Sequence, residues 1–370
     1  MKKKVFFVLP SLSGGGAEKF IVRLANAFAD RGFDTYLILI TNISDDYLEE
    51  VSSKVKLIRL GQNKIICAVL PLTFLLRQHK PDVILSTMTH LNVLCLLAKL
   101  LSGINSKIYV RSATVFSRFN RPKDNLAKLI AKFIFPFASG MISPSRDVYE
   151  DSLKLGLKNK NMTVIYNFVD KTHLEQLAAM PTDLPDTFGS PLILAAGRLT
   201  KQKNHAYLIR SFHTMCQQYD YPNAKLIILG KGPEQAHLEQ LILELHLQDK
   251  VFLKGFLNNP YPYFAKADLF VHTSMVEGLA NVLLAALALE CNIVTTDCPG
   301  AREALNNGTY GRVIPVTEDI KLLAQTMHDA LQKPISKSLL AESIKPYSVD
   351  TIVNQYIEFM GLSSHHPNHL

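Results

Sequence analysis

The fold of this chain is decided by residues 274–286, which have the sequence SMVEGLANVLLAA. Shortly before them, residues 267–272 (ADLFVH) have the apolar character of a buried strand, and after Gly278 the sequence is apolar over the length of a helix. Glu277 and Gly278 are therefore predicted at a strand's carboxyl end and a helix's N-terminus. In open α/β sheets, ligands bind there and backbone amides attract phosphate. A surface carboxylate that only caps the helix is the alternative interpretation.

The alternation of apolar strands and helices continues on both sides of this segment. Strands are predicted at 5–9, 36–40, 55–59, 81–85, 107–110, 140–143 and 163–166, and again at 192–197, 225–229, 251–253, 268–272 and 292–295. Continuous apolar strands separated by helices are typical of parallel sheets that are covered on both faces. The pattern predicts two α/β units in tandem with a cleft between them.

The domain boundaries follow from the interruption of this pattern. The predicted parts are a first domain, a linker with prolines and a glycine, a second domain, a final helix that could return to the first domain, and a tail: 1–167, 168–190, 191–348, 349–362 and 363–370. A length of 370 residues with 48% hydrophobic residues fits two domains with separate cores.

The composition predicts a soluble, cytoplasmic protein. Five widely spaced cysteines without zinc-site spacing favour a reducing compartment. The apolar run after the N-terminal lysines, residues 5–9, is too short for a signal peptide. The longest apolar run, residues 65–76, has twelve residues, which is well short of the ~20 needed to cross a bilayer.

The positive charge is concentrated in the first half of the chain. Residues 1–170 contain 24 Lys+Arg and 13 Asp+Glu, whereas residues 171–370 contain 16 and 19. Nucleic acid is disfavoured as the partner, because no aromatic-basic interleaving, zinc finger or recognition helix accompanies the charge. Residues 125–135 (NLAKLIAKFIF) place Lys128 and Lys132 on an otherwise apolar helix, which favours an anionic membrane surface. A core-packing helix with two solvated lysines is the alternative.

Two further loops have the composition of anion-binding loops. Residues 12–18 (LSGGGAE) follow the first strand, but a dinucleotide fingerprint would need glycine at Lys19, so hydride transfer is disfavoured. Residues 197–204 (GRLTKQKN) follow the first strand of the second unit. Arg198 offers a planar fork and Lys203 a point charge, and together they could hold a diphosphate from two sides. A tight turn and solvated loop charges are the respective alternatives.

The ordered set of these motifs resembles the retaining GT-B glycosyltransferases of family four. The matching segments are GGGAE at 14–18, VIYNFVD at 164–170, GR-L-x-x-x-KN at 197–204, LGKGP at 229–233, GF at 255–256 and S-x-x-EG at 274–278. The resemblance covers nearly the whole chain. It implies an α/β protein of the GT-B class, with two Rossmann-like domains whose parallel sheets face across a cleft. A nucleotide-sugar would be held mainly by the second domain.

The resemblance also implies roles for particular residues. The diphosphate would be bound by Arg198, Lys203, Gly15 and Gly16. The donor sugar would be bound by Glu277, Gly278, Leu279, Ala280 and Asn281. The base and ribose would be bound by Gly230, Gly232, Lys254, Phe256 and the residue at position 285. His90, which follows the fourth strand, is a second catalytic candidate beside Glu277, with helix capping as the alternative. Arg111 is a candidate contact for an acceptor phosphate.

Retention at the anomeric carbon without a metal or other cofactor is the mechanism implied by the family. The Asp-x-Asp pair that holds a metal in GT-A enzymes is absent from the sequence. Arg198, Lys203 and helix N-termini would then neutralise the leaving diphosphate. UDP is the family's commonest nucleotide. The charge asymmetry and the resemblance together predict a glycan or polyprenyl-diphosphate-linked acceptor at the cytoplasmic membrane face.

One position departs from the family's pattern of two glutamates eight positions apart. Counting eight from Glu277 reaches Ala285, which cannot accept a hydrogen bond from a ribose hydroxyl. A missing charged hydrogen bond is worth about 1.5–3 kcal/mol, or roughly a ten- to hundredfold loss of donor affinity. A natural variant, a degenerate enzyme and a deliberate weakening substitution are the three explanations, and the intact surrounding motif favours the last. A nucleotide-sugar 2-epimerase of the same fold and a non-catalytic nucleotide-sugar-binding protein are the alternative functions.

Overall fold

The computed structural model describes residues 2–13, 15–43, 45–118, 122–184 and 188–363. It is an α/β structure that divides into two compact units, one formed by residues 1–168 and 349–370 and the other by residues 169–348. Within the part of the chain described, no helix is long and apolar enough to span a membrane.

The first unit is built on a parallel sheet of seven strands in the order β3-β2-β1-β4-β5-β6-β7. The strands are β1 Lys4–Leu9, β2 Asp34–Leu39, β3 Lys56–Arg59, β4 Val83–Thr87, β5 Lys107–Arg111, β6 Gly140–Ser143 and β7 Met162–Val164. The helices between them are α1 Gly16–Asp30, α2 Val69–His79, α3 Thr89–Ser102, α4 Pro122–Ile134 and α5 Arg146–Lys154.

Successive residues of β1 supply the cores on the two faces of this sheet, because side chains alternate along a strand. Phe7 belongs to the cluster beneath α1, whereas Phe6 belongs to the cluster beneath α2, α3 and α4. Each of these two side chains is fully buried. The continuous apolar character of β1 is therefore the sequence mark of a strand that is covered on both faces.

The second unit is a parallel sheet of six strands in the order β10-β9-β8-β11-β12-β13. The strands are β8 Leu192–Ala196, β9 Lys225–Leu229, β10 Val251–Gly255, β11 Leu269–His272, β12 Ile293–Thr296 and β13 Arg312–Ile314. The helices are α6 Lys171–Ala178, α7 His205–Gln218, α8 Gln235–Glu244, α9 Tyr261–Lys266, α10 Asn281–Ala288, α11 Ala301–Ala304, α12 Ile320–Gln332 and α13 Lys337–Ser343.

The last helix, α14 Val349–Phe359, packs on the first unit beside α1. Its Tyr356 is fully buried in the same core as Phe7, and Asp350 accepts a 2.6 Å bond from Arg31 of the segment after α1. The tail beyond residue 363 lies outside the described residues.

Two elements differ from the sequence prediction. Residues 168–190 were expected to be an irregular linker, but they contain α6, whose N-cap Asp170 accepts a bond from the His173 amide at 3.0 Å. This helix has only eight residues and is followed by Pro181, so the turn signals hid it. The edge strand β13 was not predicted, because three residues beside a glycine are too few to show a pattern.

Candidate functional site

Three loops of the second unit meet at the carboxyl edge of its sheet. Strand β8 lies between β9 and β11. The chain passes from β8 to β9 on one side and returns from β10 to β11 on the other, which creates a topological switch point. The loop at 197–204 is bound to the loop at 273–281. The Met275 amide donates to the Gln202 carbonyl at 2.9 Å, and the Thr273 hydroxyl donates to the Lys203 carbonyl at 2.9 Å. The segments singled out in the sequence therefore form one site.

Two glycines allow the loop after β9 to lie directly against the loop after β8. Gly230 has φ +140°, and a Cβ there would collide with the carbonyl oxygen of Gly197. A Cβ at Gly232 would collide with the Leu199 carbonyl. The Leu199 amide donates to the Lys231 carbonyl at 3.1 Å, which fixes this approach. These glycines thus have a structural requirement in addition to the nucleotide contact predicted for them.

A buried ion pair joins Lys203 and Glu277 at the centre of the site. The Lys203 ammonium is bound to Glu277 Oε1, and the two side chains are only 18% and 15% exposed. His272, at the end of β11, places Nε2 at 3.5 Å from the same oxygen and Nδ1 at 3.1 Å from the Thr295 hydroxyl. The site therefore binds its carboxylate from two sides.

The protonation states of these groups follow from their surroundings. Burial raises the pKa of the Glu277 carboxyl, but the charge of Lys203 and the contact with His272 outweigh it and lower the pKa to about 2. Burial lowers the pKa of His272, and it lowers the pKa of the neighbouring His205 to about 3, with the charges of Lys203 and His272 adding to the effect. At neutral pH the site therefore contains an ionised Glu277 and two neutral histidines.

The N-terminus of α10 forms another wall of the site. Ala280 is the N-cap residue and has no side-chain cap bond. The loop after β12 presses on this segment, since a Cβ on Gly300 would lie 2.7 Å from the Gly278 carbonyl and 3.2 Å from the Leu279 Cα. Gly300 also has φ +79°, so only glycine fits there without strain. The positive end of the α10 dipole is directed toward the segment that contains Glu277.

The first unit has a comparable edge, where its chain switches direction between β1 and β4. Gly15 is the N-cap residue of α1 and Gly16 begins the helix, whereas Gly14 lies outside the described residues. A Cβ at Gly15 would collide with the Glu18 carboxylate. His90 lies exposed in the first turn of α3, directly after β4. The positions predicted in this unit thus lie at the carboxyl ends of neighbouring strands.

Comparison with known proteins decides which family this arrangement represents. A model described as Glycosyltransferase Family 4 matches residues 14–173, and one described as Glycosyl transferases group 1 matches residues 185–347. The chain is 32% identical over 333 residues to the N-acetylgalactosamine-N,N'-diacetylbacillosaminyl-diphospho-undecaprenol 4-alpha-N-acetylgalactosaminyltransferase of Campylobacter jejuni, covering 86% of this chain and 87% of the relative. The chain belongs to the family 4 glycosyltransferases.

Two more similarities extend this result. A second Campylobacter jejuni enzyme, GalNAc-alpha-(1->4)-GalNAc-alpha-(1->3)-diNAcBac-PP-undecaprenol alpha-1,4-N-acetyl-D-galactosaminyltransferase, is 24% identical over 332 residues, 86% of each chain. The solved structure of Anabaena Alr3699/HepE in complex with UDP-glucose superposes with a TM-score of 0.79 at 21% identity and covers 97% of this chain and 100% of that one. The predicted GT-B fold with two Rossmann-like domains is confirmed.

The remaining second-unit positions of this glycosyltransferase have defined surroundings. Ala285 lies in the second turn of α10 and is 7% exposed. The Lys254 ammonium is bound to Asp183 at 2.8 Å, and the Lys231 ammonium lies 5.2 Å from the centre of the Phe256 ring. Their roles toward base and ribose stay predictions.

The structure corrects the prediction for Arg111. Its side chain is 2% exposed, and the guanidinium donates to Asn167 Oδ1 at 2.5 Å and to the Tyr356 hydroxyl at 3.2 Å while lying over the Phe20 ring. A guanidinium enclosed in this way cannot receive an acceptor phosphate. Arg111, at the end of β5, instead joins this strand to Tyr356 on α14 and to Asn167 near the end of the segment 1–168.

Helix α4, for which the sequence predicts a membrane contact, exposes apolar side chains as well as lysines in this glycosyltransferase. Lys132 is exposed and Lys128 is partly exposed, but Leu129 and Phe133 also face outward, at 53% and 72% exposure. Ile134 packs into the core from the opposite side. The helix therefore packs on the core, as the alternative interpretation has it, and also exposes apolar side chains beside its lysines. The membrane contact stays a prediction.

Sequence reasoning missed three residues of the site: His272, His205 and Gly300. His272 was assigned to a strand and given no role, although a histidine in a fully buried strand is a signal in itself. Gly300 follows Pro299 after β12, and a Pro-Gly pair is typical of a turn but does not indicate the contact with Gly278. His205 gave no distinguishing signal.

Proposed function

We propose that this glycosyltransferase moves a sugar from a UDP-linked donor, with retention at the anomeric carbon, to a polyprenyl-diphosphate-linked glycan at the cytoplasmic membrane face. The observation that carries the proposal is the buried Lys203–Glu277 pair beside the exposed Arg198 at the switch point of the second sheet. An ion pair held at a ligand-binding edge, next to a second cation, is arranged for an anion and a hydroxyl-bearing group together.

The charge distribution supports a division of labour between these residues. Glu277 is ionised at neutral pH, so it acts as an acceptor of hydrogen bonds from sugar hydroxyls and has no proton to donate. Arg198 and Lys203, with the positive end of α10, would stabilise the charge that develops on the leaving diphosphate. We propose that this stabilisation replaces a metal, and that the leaving phosphate oxygen takes the acceptor's proton.

The donor and acceptor classes are supported by what the similar proteins handle. The Anabaena structure is a complex with UDP-glucose. The names of both Campylobacter relatives include an undecaprenol carrier linked through a diphosphate. We propose a UDP-hexose or UDP-N-acetylhexosamine donor and an acceptor of the same lipid-linked class. His90 is proposed to reach the donor sugar, and Lys128 and Lys132 to face the anionic membrane.

The test is calorimetric binding of UDP and GDP to the chain and to its Ala285→Glu variant. If position 285 faces the ribose, the variant should bind UDP about ten- to hundredfold more tightly, because one charged hydrogen bond is restored. GDP serves as the control for base selectivity. Failure of both forms to bind any nucleotide would overturn the proposed function.

The same variant tests a second candidate, a non-catalytic nucleotide-sugar-binding protein, which is favoured by the absence of a carboxylate at Ala285. An enzyme lacking one contact should gain turnover when the glutamate is introduced, whereas a binding protein should gain affinity only. Because residue 285 is 7% exposed, a thermal unfolding curve of the variant must accompany the assay.

A further inference from the structure

The first unit leaves an apolar surface uncovered on one side. Its described residues include thirteen large hydrophobic side chains that are exposed, and ten of them lie on one helical layer. This layer, called here the outer layer, consists of residues 65–79 (a 3-10 turn and α2), α3, and residues 122–137 (α4 and a 3-10 turn). Helices α2 and α4 both pack against α3, so the three helices form one continuous layer.

The exposed residues of the outer layer follow helical spacing. On the first segment Ile66, Leu70 and Phe74 are 69%, 62% and 64% exposed, and they are four positions apart. On the last segment, the exposed residues Leu126, Leu129, Ile130, Phe133 and Phe137 follow the same three-to-four spacing. Each segment therefore presents an apolar stripe outward.

The inner faces of these helices are apolar as well. Leu72, Leu76 and Ile134 are buried against the sheet. A surface helix normally buries one apolar face and exposes polar residues, and contiguous exposed apolar patches of this kind mark interaction sites. The twelve-residue apolar run that is too short to cross a membrane thus belongs to an uncovered surface.

The charge of the outer layer identifies its partner. The outer layer contains five Lys+Arg and one acid: Arg77, Lys99, Lys123, Lys128 and Lys132, and Asp124. The Arg77 guanidinium donates to the Leu101 carbonyl at 2.8 Å and is thereby held at the exposed end of α3. A symmetric contact with a second copy would place these like charges opposite each other with few acids to pair them. An anionic lipid surface supplies both the apolar phase and the opposite charge.

We propose that the outer layer docks on an anionic phospholipid bilayer, with the stripes of α2 and α4 entering the boundary between headgroups and acyl chains. This extends the predicted contact from two lysines on α4 to an insertion through two separate helices. Its purpose rests on the proposed function, because a lipid-linked acceptor would be met at that surface.

The experiment is co-sedimentation of the full chain with vesicles of phosphatidylcholine mixed with phosphatidylglycerol, beside vesicles of phosphatidylcholine alone. Leu70→Glu on α2 and Leu129→Glu on α4 should each weaken binding to the mixed vesicles by about tenfold or more, because a charge replaces an inserting apolar group. Leu243→Glu is the matched control, since Leu243 lies on α8 of the second unit at 51% exposure, against 53% for Leu129. High salt should reduce the binding of the unaltered chain only in part, since the apolar contribution is not screened.

Separate outcomes identify which proposal fails. With a short, water-soluble acceptor, the α2 and α4 variants should keep the transfer rate of the unaltered chain. Transfer without vesicle binding by the unaltered chain would overturn the docking surface and leave the proposed function standing. Vesicle binding without transfer would overturn the proposed function and leave the docking surface standing. Docking on the bilayer would also be overturned if Leu70→Glu left vesicle binding unchanged. The same holds if the unaltered chain were a dimer that this substitution dissociates.

Discussion

At the scale of single residues, two interactions require the charge of Lys203. It is bound to Glu277 in the structure, and a diphosphate would need the same ammonium. His272 contributes to this balance by lying 3.5 Å from the carboxylate without being protonated at neutral pH. Arg198, which is exposed, is therefore the residue that can meet a phosphate without first leaving a carboxylate.

The pair should show strong coupling in a double-mutant cycle. Lys203→Met leaves a buried carboxylate without its cation and should cost about 3 kcal/mol of folding stability. Glu277→Gln should cost less, because the lysine stem can turn its ammonium toward solvent. The double variant should recover more than half of the loss caused by Lys203→Met, as measured by urea unfolding of all four proteins. Additive losses would show that the two residues are not coupled.

At the scale of elements, the glycines of the strand-to-helix loops decide whether the site can assemble. Gly230→Ala places a Cβ against the Gly197 carbonyl at a positive φ, so both strain and collision oppose it. Gly308→Ala is the control, because Gly308 also has a positive φ, +100°, but open space around its Cβ.

The control should cost about 1–2 kcal/mol of stability from backbone strain alone. Gly230→Ala should cost clearly more and should also weaken UDP binding, since the loops after β8 and β9 can no longer touch. Urea unfolding and calorimetry of both variants measure the two effects. Equal stability losses in the two proteins would refute the requirement for backbone contact at Gly230.

Most elements could be predicted from the sequence, and the exceptions share a physical cause. The central strands β1, β8 and β9 are continuous apolar runs, so their burial is encoded locally. The helix α6 and the edge strand β13 are short and gain their stability from neighbours, which no local pattern reveals. Arg111 shows the same limit for a side chain, since a position at a strand's end gave no sign that α14 would cover it.

At the scale of the whole molecule, the sequence predicted the two α/β units, and the resemblance to family four implied that the loops at 197–204, 229–233 and 274–281 bind one nucleotide-sugar. The sequence did not predict which face of α4 would be exposed. Apolar residues lie on both sides of the lysines of α4, so the pattern alone does not decide that Ile134 turns inward and Phe133 outward. The buried histidines were missed for a related reason, since their surroundings are assembled from separate segments.

Those histidines make the stability of the second unit depend on pH. His205 has a native pKa of about 3, below its ordinary value of 6.5, so the unfolded chain binds a proton before the native one does. Its contribution is complete above pH 6.5 and is lost as the pH falls toward 3, and the lowered pKa of His272 acts in the same direction. Glu277 does not contribute to a change of stability between pH 7 and pH 5. Its stabilisation is complete above its ordinary pKa of 4.5 and is lost only as the pH falls from there toward 2.

Between pH 7 and pH 5 we therefore expect the unfolding free energy of the second unit to fall by about 2 kcal/mol for each buried histidine that stays neutral. Hydrogen exchange of the β8 and β11 amides, corrected for the intrinsic effect of pH, measures this loss. His205→Leu should reduce the fall by about 2 kcal/mol, because one proton-binding site of the unfolded state is removed. The same fall in the variant and the unaltered chain would mean that His205 is protonated in the native site.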